Sequence, residues 1–423
     1  MTITNARLSL DAPSPASANV PSRFAGTTIS ATALQRAVLW LTVFGSCVAF
    51  IEPSPFEVMF ALLAITFLAT RLRFHKLLIP LIALVALYNM GGLISLVPFT
   101  NDPKAVMFIL ISIYMAIAAI VFAAIMLDDT EARMRVVESA WIAAAVIVSI
   151  TGILGYFNIA GLGSIFSFNQ RASGTFKDPN VLGTYLTFPF ICLVMGFVLG
   201  NRGNTVLRAI AFLIVAAAIF LSFSRGAWAL AVLGSGLCIT IAFVTSQSTM
   251  QRARIIAMSL LGLGAVILLL MLVLSIPDVR ELFLQRASFS QSYDSESGGR
   301  FDNQARSLPM LLSLPNGFGP YQFRYHFPED PHNVYINAFA SYGWIGGLSY
   351  LGLTLVTLIV GWRAAFMRSR YQPMAIAAWT TLFMLILQGY QIDTDHWRHY
   401  YILLGIVWGL HTAIMLDRRR STA

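Results

Sequence analysis

Arg225 stands in Leu221-Ser-Phe-Ser-Arg-Gly-Ala-Trp-Ala-Leu230, between two long apolar runs with almost no polar loop around it. A permanent cation at such a hairpin is costly unless it faces a cavity or a partner, so it marks a functional position. Three further arginines, Arg171, Arg300 and Arg324, fall in loops predicted to share its side of a membrane. A guanidinium is always charged and grips phosphate with a planar fork of donors. Several of them converging on one cavity would suit a diphosphate group. The plainer reading of each is snorkelling to lipid headgroups, and it weighs most for Arg324. His332 lies in Pro331-His-Asn-Val-Tyr-Ile-Asn337, where a long loop runs into an apolar span. Its imidazole titrates near neutrality and can take a proton from a hydroxyl nucleophile; the plainer reading is a helix cap. Asp393-Thr-Asp-His-Trp-Arg-His399 carries an Asp-x-Asp pair. Such pairs hold divalent metals in other settings. The favoured reading here is ion pairing of Asp393 and Asp395 with arginines such as Arg398 or Arg225, with no metal.

These residues must be positioned by a membrane framework. Of the 423 residues, 57% are apolar and 11% charged, whereas a soluble domain carries about 25% charged residues. The repeated apolar runs predict an all-α, polytopic transmembrane bundle, because only helices of this kind satisfy their own backbone in lipid. The runs do not alternate apolar and polar residues as a membrane β-barrel would. About twelve spans are expected, near 34–51, 56–70, 77–97, 104–127, 137–157, 180–200, 206–223, 226–245, 254–276, 333–361, 373–391 and 399–416. Residues 1–32, rich in Ser, Ala, Thr and Pro, are expected to form a disordered cytoplasmic tail, not a cleaved signal peptide.

The net charge of +9 is explained by basic residues in short loops and does not call for nucleic acid. With both termini in the cytoplasm, most basic residues fall inside, as the positive-inside rule requires. Two long loops, 158–179 and 277–332, then lie outside, the larger between the ninth and tenth spans. Within it, Phe301, Ala305, Leu308 and Leu312 have helical spacing and predict an amphipathic helix on the membrane, ended or kinked by Pro309. Asn316-Gly-Phe-Gly-Pro320 is a turn signal. Cys47, Cys192 and Cys238 lie in apolar runs and read as packing residues. No phosphate-binding Gly-Lys-Ser/Thr loop and no His-Glu-x-x-His motif is present. Chemistry is therefore expected on the outer face. Nucleotide sugars and ATP are not available there, so the substrate must arrive already activated, most simply on a lipid.

Together the segments Gly174-Thr-Phe-Lys-Asp-Pro-Asn180, Ser222-Phe-Ser-Arg-Gly-Ala227, Gly299-Arg300, Pro315-Asn-Gly-Phe-Gly319, His332-Asn333 and Gly343-Trp-Ile-Gly346 resemble the O-antigen ligase and polymerase superfamily of bacterial membrane glycosyltransferases. The likeness covers about residues 165–350, with a weaker echo at 393–410, inside a transmembrane domain expected over 33–423. It implies transfer of glycan from undecaprenyl pyrophosphate to a lipid A–core hydroxyl, on the periplasmic face of the inner membrane and without metal or cofactor. The alternative within the superfamily is a repeat-unit or exopolysaccharide polymerase. By this resemblance Arg171, Arg225 and Arg300 would hold the pyrophosphate and His332 would be the base. Asp178, Asn180, Arg324, Asn333, Asp395 and Arg398 would support them. Asn303 departs from the superfamily pattern, in which a tryptophan often stands near this position, and that concerns the acceptor side. A reading from another class, a transporter or flippase, would call for two similar halves and a midplane site, and neither is visible.

Overall fold

A computed structural model describes residues 30–70, 72–200, 204–287 and 299–422. The tail expected over 1–32 lies outside the described residues as far as residue 29. Ser30 already caps the first helix, its hydroxyl accepting the Ala33 N–H at 3.2 Å, so any tail ends before it.

The chain is helical: α1 (Ala31–Gly45), α2 (Pro55–Ala69), α3 (Ile79–Leu96), α4 (Pro103–Ile125), α5 (Thr130–Tyr156), the short α6 (Gly163–Phe166), α7 (Pro179–Tyr185), α8 (Thr187–Leu199), α9 (Thr205–Leu221), α10 (Arg225–Thr245), α11 (Thr249–Leu274), α12 (Pro277–Ala287), α13 (Arg300–Ser313), α14 (Val334–Phe366), α15 (Gln372–Gln388) and α16 (Arg398–Thr422). Among the described residues the one sheet is a two-residue ladder, β1 (Ser167–Phe168) against β2 (Arg171–Ala172). Every expected span falls on a helix. Among the described residues eight helical segments are long and apolar enough to cross a membrane, α7 and α8 counting as one. The other expected spans are α1, α2, α9 and α15, of 15 to 17 residues. Seventeen residues reach only about 25 Å at the α-helical rise, short of a hydrocarbon core of about 30 Å.

The spine is α16. Trp408, Tyr400, Tyr401 and Leu403 are buried, and the helix packs on α4, α14 and α15. Its closest approach is to α4. A side chain at Gly405 would fall 2.4 Å from the Ala119 carbonyl oxygen, and one at Gly409 would fall 2.7 Å from that of Ala123. This is the small-residue packing that brings helices together in lipid. The Trp408 indole donates to the Thr357 hydroxyl at 2.9 Å and ties α16 to α14. At the opposite extreme α11 buries only Ile255, and Leu260, Leu261, Leu263, Leu268 and Leu272 face outward where lipid would cover them.

The two ends of the bundle differ. At the end holding the start of α1 and the end of α16, Arg36 pairs with Asp129 (2.5 Å), Arg73 with Asp128 (3.2 Å) and Arg370 with Asp417 (3.2 Å). At the other end the long loops form a cap. Helix α13 runs through Pro309 to Ser313, so this proline does not end the helix as expected. Phe301, Leu308 and Leu312 are exposed, while Asn303, Gln304, Ser307 and Leu311 face the protein. The apolar stripe thus points away from the fold.

The cap is locked to the bundle at Gly343, which interrupts α14 with φ 65° and ψ −169°. The Trp344 N–H donates to the Pro315 carbonyl (2.8 Å) and its indole to the Leu311 carbonyl (2.9 Å). The turn at 316–320 returns the contact: the Phe318 and Gly319 N–H groups donate to the Ala340 carbonyl at 2.8 and 3.0 Å. The three cysteines are free and buried.

Gly405→Val forces α16 off α4 and is expected to cost about 1–3 kcal/mol. Thermal unfolding in detergent checks this, and a midpoint equal to wild type would contradict the packing described.

Candidate active site

The reversal between α9 and α10 takes only Ser222, Phe223 and Ser224. Phe223 adopts φ 46°, and its ring is buried against Tyr156, Phe220 and Trp228. Ser224 caps α10, its hydroxyl accepting the Ala227 N–H at 3.3 Å. Arg225 is therefore the first residue of a 21-residue helix, where the dipole already favours an anion. Arg171 reaches the same turn from the β1–β2 hairpin. Its Nε donates to the Ser222 carbonyl (2.7 Å) and its Nη2 to Asn180 Oδ1 (2.8 Å). Asp178 caps α7, accepting the Asn180 N–H at 2.7 Å.

The large loop supplies the facing wall. Arg300 opens α13, and its Nη1 donates to the Gln391 carbonyl at 2.7 Å. In α12, Phe283 packs against Phe220 and Trp228, with ring centroids 5.7 and 5.6 Å away. That seating carries Arg286, one turn later, to the same place. The result is a cavity of about 320 Å³ lined by Arg171, Arg225, Arg286 and Arg300, with Asp178, Asn180, Glu329 and His332. Among the described residues four guanidinium groups face two carboxylates there, so the cavity is suited to an anion with several oxygens.

His332 precedes α14 with φ 44°, a strained value for a residue other than glycine. Its neighbours hold it there. Asn333 caps α14, its side-chain oxygen accepting the N–H groups of Tyr335 (3.0 Å) and Ile336 (3.2 Å). Asp393 Oδ1 accepts the Asn333 N–H at 3.1 Å. Burial, and next the charge of Arg300, lower the pKa of His332 from its ordinary 6.5, against weaker opposition from Asp330, Glu329 and Asp178. The imidazole is thereby kept neutral at neutral pH, as a base must be.

Of the residues singled out in the sequence, Arg171, Arg225, Arg300, His332, Asp178 and Asn180 line this cavity. Arg324, Asn333, Asp395 and Arg398 do not. Arg324 pairs with Asp330 at 2.6 Å and lies 3.6 Å above the Tyr321 ring. Arg398 binds Glu57 through Nε (2.7 Å) and Nη2 (2.6 Å), instead of the expected Asp393 or Asp395. Asp395 instead accepts from the Asn337 amide (3.1 Å) and faces His396 Nδ1 at 3.2 Å. Burial disfavours a charged His396, but Asp395 and the Phe108 carbonyl outweigh it and raise its pKa. The expected pairing of Asp393 and Asp395 with arginines is therefore not formed among the described residues: Asp393 accepts a backbone N–H, and Asp395 meets Asn337 and His396.

Arg286, Glu329, Gln388 and Gln391 also line the cavity and were not singled out. Their signals were local and weak: an arginine one turn after Phe283, and two glutamines ending an apolar run.

Residues 210–351 match the family model of the O-antigen ligases. The match runs from α9 into α14. It bears out the resemblance over the segment that holds Arg225, Arg286, Arg300 and His332, while Arg171 and Gln388 lie outside it. It implies glycosyltransferase-type activity of the ligase or polymerase kind, in what the apolar helices make an integral membrane protein. No curated protein matches the chain.

Two outcomes follow from this geometry. A base of lowered pKa is protonated only at acidic pH, so activity should rise with pH through a midpoint below 6.5. Arg300→Ala removes a charge that lowers this pKa, and the acid limb of the kcat/KM profile should move to higher pH; an unmoved or downward limb would contradict the assignment. Arg398→Met breaks a partly buried ion pair and should lower stability in detergent by about 1–3 kcal/mol, with transfer by the folded fraction within about threefold of wild type.

Proposed function

We propose that this protein is a membrane glycosyltransferase of the O-antigen ligase kind. It moves glycan from undecaprenyl pyrophosphate to a lipid A–core hydroxyl, with the cavity open to the periplasmic side of the bacterial inner membrane. In this reading the chain crosses the membrane twelve times, with both termini in the cytoplasm. The observation that carries this reading is the convergence of four arginines and a neutral histidine on one cavity, built from segments far apart in the chain.

In this reading the diphosphate lies against Arg225 and the α10 N-terminus, with Arg171, Arg286 and Arg300 around it. The acceptor oxygen attacks the anomeric carbon, the carbon–oxygen bond to the diphosphate breaks, and undecaprenyl pyrophosphate leaves with that electron pair. His332 takes the proton from the acceptor hydroxyl. A single displacement of this kind inverts the anomeric carbon. Charge grows on the leaving diphosphate, and arginines already fixed in place stabilise it without having to reorganise. Asp178 and Asn180 position Arg171, and Asp393 and Asn333 position His332. A polymerase would use the same donor site and base with a second lipid-linked glycan as acceptor.

Purified protein incubated with an undecaprenyl-pyrophosphate oligosaccharide, with and without lipid A–core, tests the reading by mass spectrometry of the products. Glycan on lipid A–core alone is the expected result, a ladder on undecaprenyl pyrophosphate would make it a polymerase, and no transfer to either would overturn it. His332→Ala should lower the rate by about 10²–10⁴-fold, and Arg225→Ala by about 10²–10³-fold, in protein of normal yield and melting behaviour. Wild-type rates in both would remove His332 and Arg225 from the mechanism.

A further inference from the structure

One polar group on the cavity wall has no task in the scheme above. Gln388, the last residue of α15, lines the cavity beside Arg225 and Gly226. It is only 8% exposed. Its carboxamide oxygen is buried and, among the described residues, meets no hydrogen-bond donor. Buried polar atoms are ordinarily bonded, and an apolar side chain of the same size would fill this position without leaving an acceptor unmet. The fold also makes room for the amide. A side chain at Gly226 would fall 2.7 Å from the Gln388 amide nitrogen and 3.5 Å from its Cδ. The bare second residue of α10 thus lets the carboxamide lie next to Arg225.

The chemistry of the unmet group differs from that of its surroundings. A guanidinium only donates hydrogen bonds, which suits phosphate oxygens. A carboxamide oxygen accepts from a hydroxyl or an N–H and is indifferent to charge. Sugars offer such donors, and the diphosphate does not. We propose that Gln388 accepts a hydrogen bond from a hydroxyl or acetamido N–H on the sugar next to the pyrophosphate, so that the end of α15 reads the donor sugar while the arginines hold the diphosphate. This inference rests on the lipid-pyrophosphate reading of the cavity.

The test uses the full-length protein in nanodiscs and two probes: undecaprenyl pyrophosphate carrying one N-acetylglucosamine, and the same lipid without sugar. Gln388→Met and Gln388→Leu remove both polar ends and keep most of the bulk; Gln388→Met also covers the case in which Gln388→Leu packs poorly. Wild type should bind the sugar-bearing lipid about ten- to a hundredfold more tightly than the bare lipid. Both variants should lose that preference, keep their affinity for the bare lipid, and melt no lower than wild type. Variants that keep the preference, or that lose affinity for both lipids alike, would overturn the proposal. Affinity for the bare lipid, and its loss in Arg225→Ala, reads the pyrophosphate site separately. Wild type that binds both lipids equally removes only the role of Gln388, whereas wild type that binds neither removes the pyrophosphate reading with it.

Discussion

Like charges gathered in one cavity repel one another, and the framework must hold them against that repulsion. Here helix ends and loop carbonyls do so. The Ser222 carbonyl and the Asn180 amide orient Arg171, and the Gln391 carbonyl orients Arg300. Bonds to neutral oxygens of this kind fix a guanidinium without cancelling its charge. Elsewhere the arginines meet carboxylates: Arg36 with Asp129, Arg73 with Asp128, Arg324 with Asp330 and Arg398 with Glu57. Those pairs staple helices and loops, and the guanidinium groups of Arg171, Arg225, Arg286 and Arg300 line one cavity.

That arrangement needs a rigid base, and close helix packing supplies it. Gly405 and Gly409 bring α16 against the carbonyls of α4, and α16 in turn supports α14 and α15, whose ends at the cavity carry His332 and Gln388. The cap is then registered on this base at a single interruption. Gly343 frees the Trp344 N–H for Pro315, and the 316–320 turn donates back to Ala340. Helix α13, which begins with Arg300, is held from its far end by the Trp344 indole on Leu311. Its polar face is turned inward and its apolar stripe outward, the reverse of a helix packed on a soluble core, as expected for a segment bordering lipid.

The backbone at His332 shows how local strain is tolerated. A positive φ at a residue with a Cβ costs free energy, and it persists because Asp393 accepts the amide of Asn333 while Asn333 caps the helix that follows. Asp393 comes from the loop between α15 and α16, some sixty residues further along the chain. The base is thus aimed by the same loop that places Gln391 on the cavity wall, and Arg300, from a third segment, helps keep it neutral.

The local pattern of residues was enough to identify a helical membrane protein, to place its apolar segments, and to mark Arg171, Arg225, Arg300 and His332 as unusual. Lipid imposes strict rules on composition and on isolated charge, so these features are written in short windows. The amphipathic spacing at 301–312 was legible for the same reason, although the helix tolerated Pro309, whose missing N–H interrupts one turn and leaves the outward-facing stripe intact. What short windows do not carry is the choice of partner. Arg398 found Glu57, 341 residues away, and Asp395 found Asn337 and His396 instead of an arginine. Arg286 and Gln388 became cavity residues only because Phe283 seats α12 on the α9–α10 turn and Gly226 leaves space beside α15. Such outcomes depend on which helices pack together and at what distance, and side-chain contacts across a bundle have no period in the sequence to announce them.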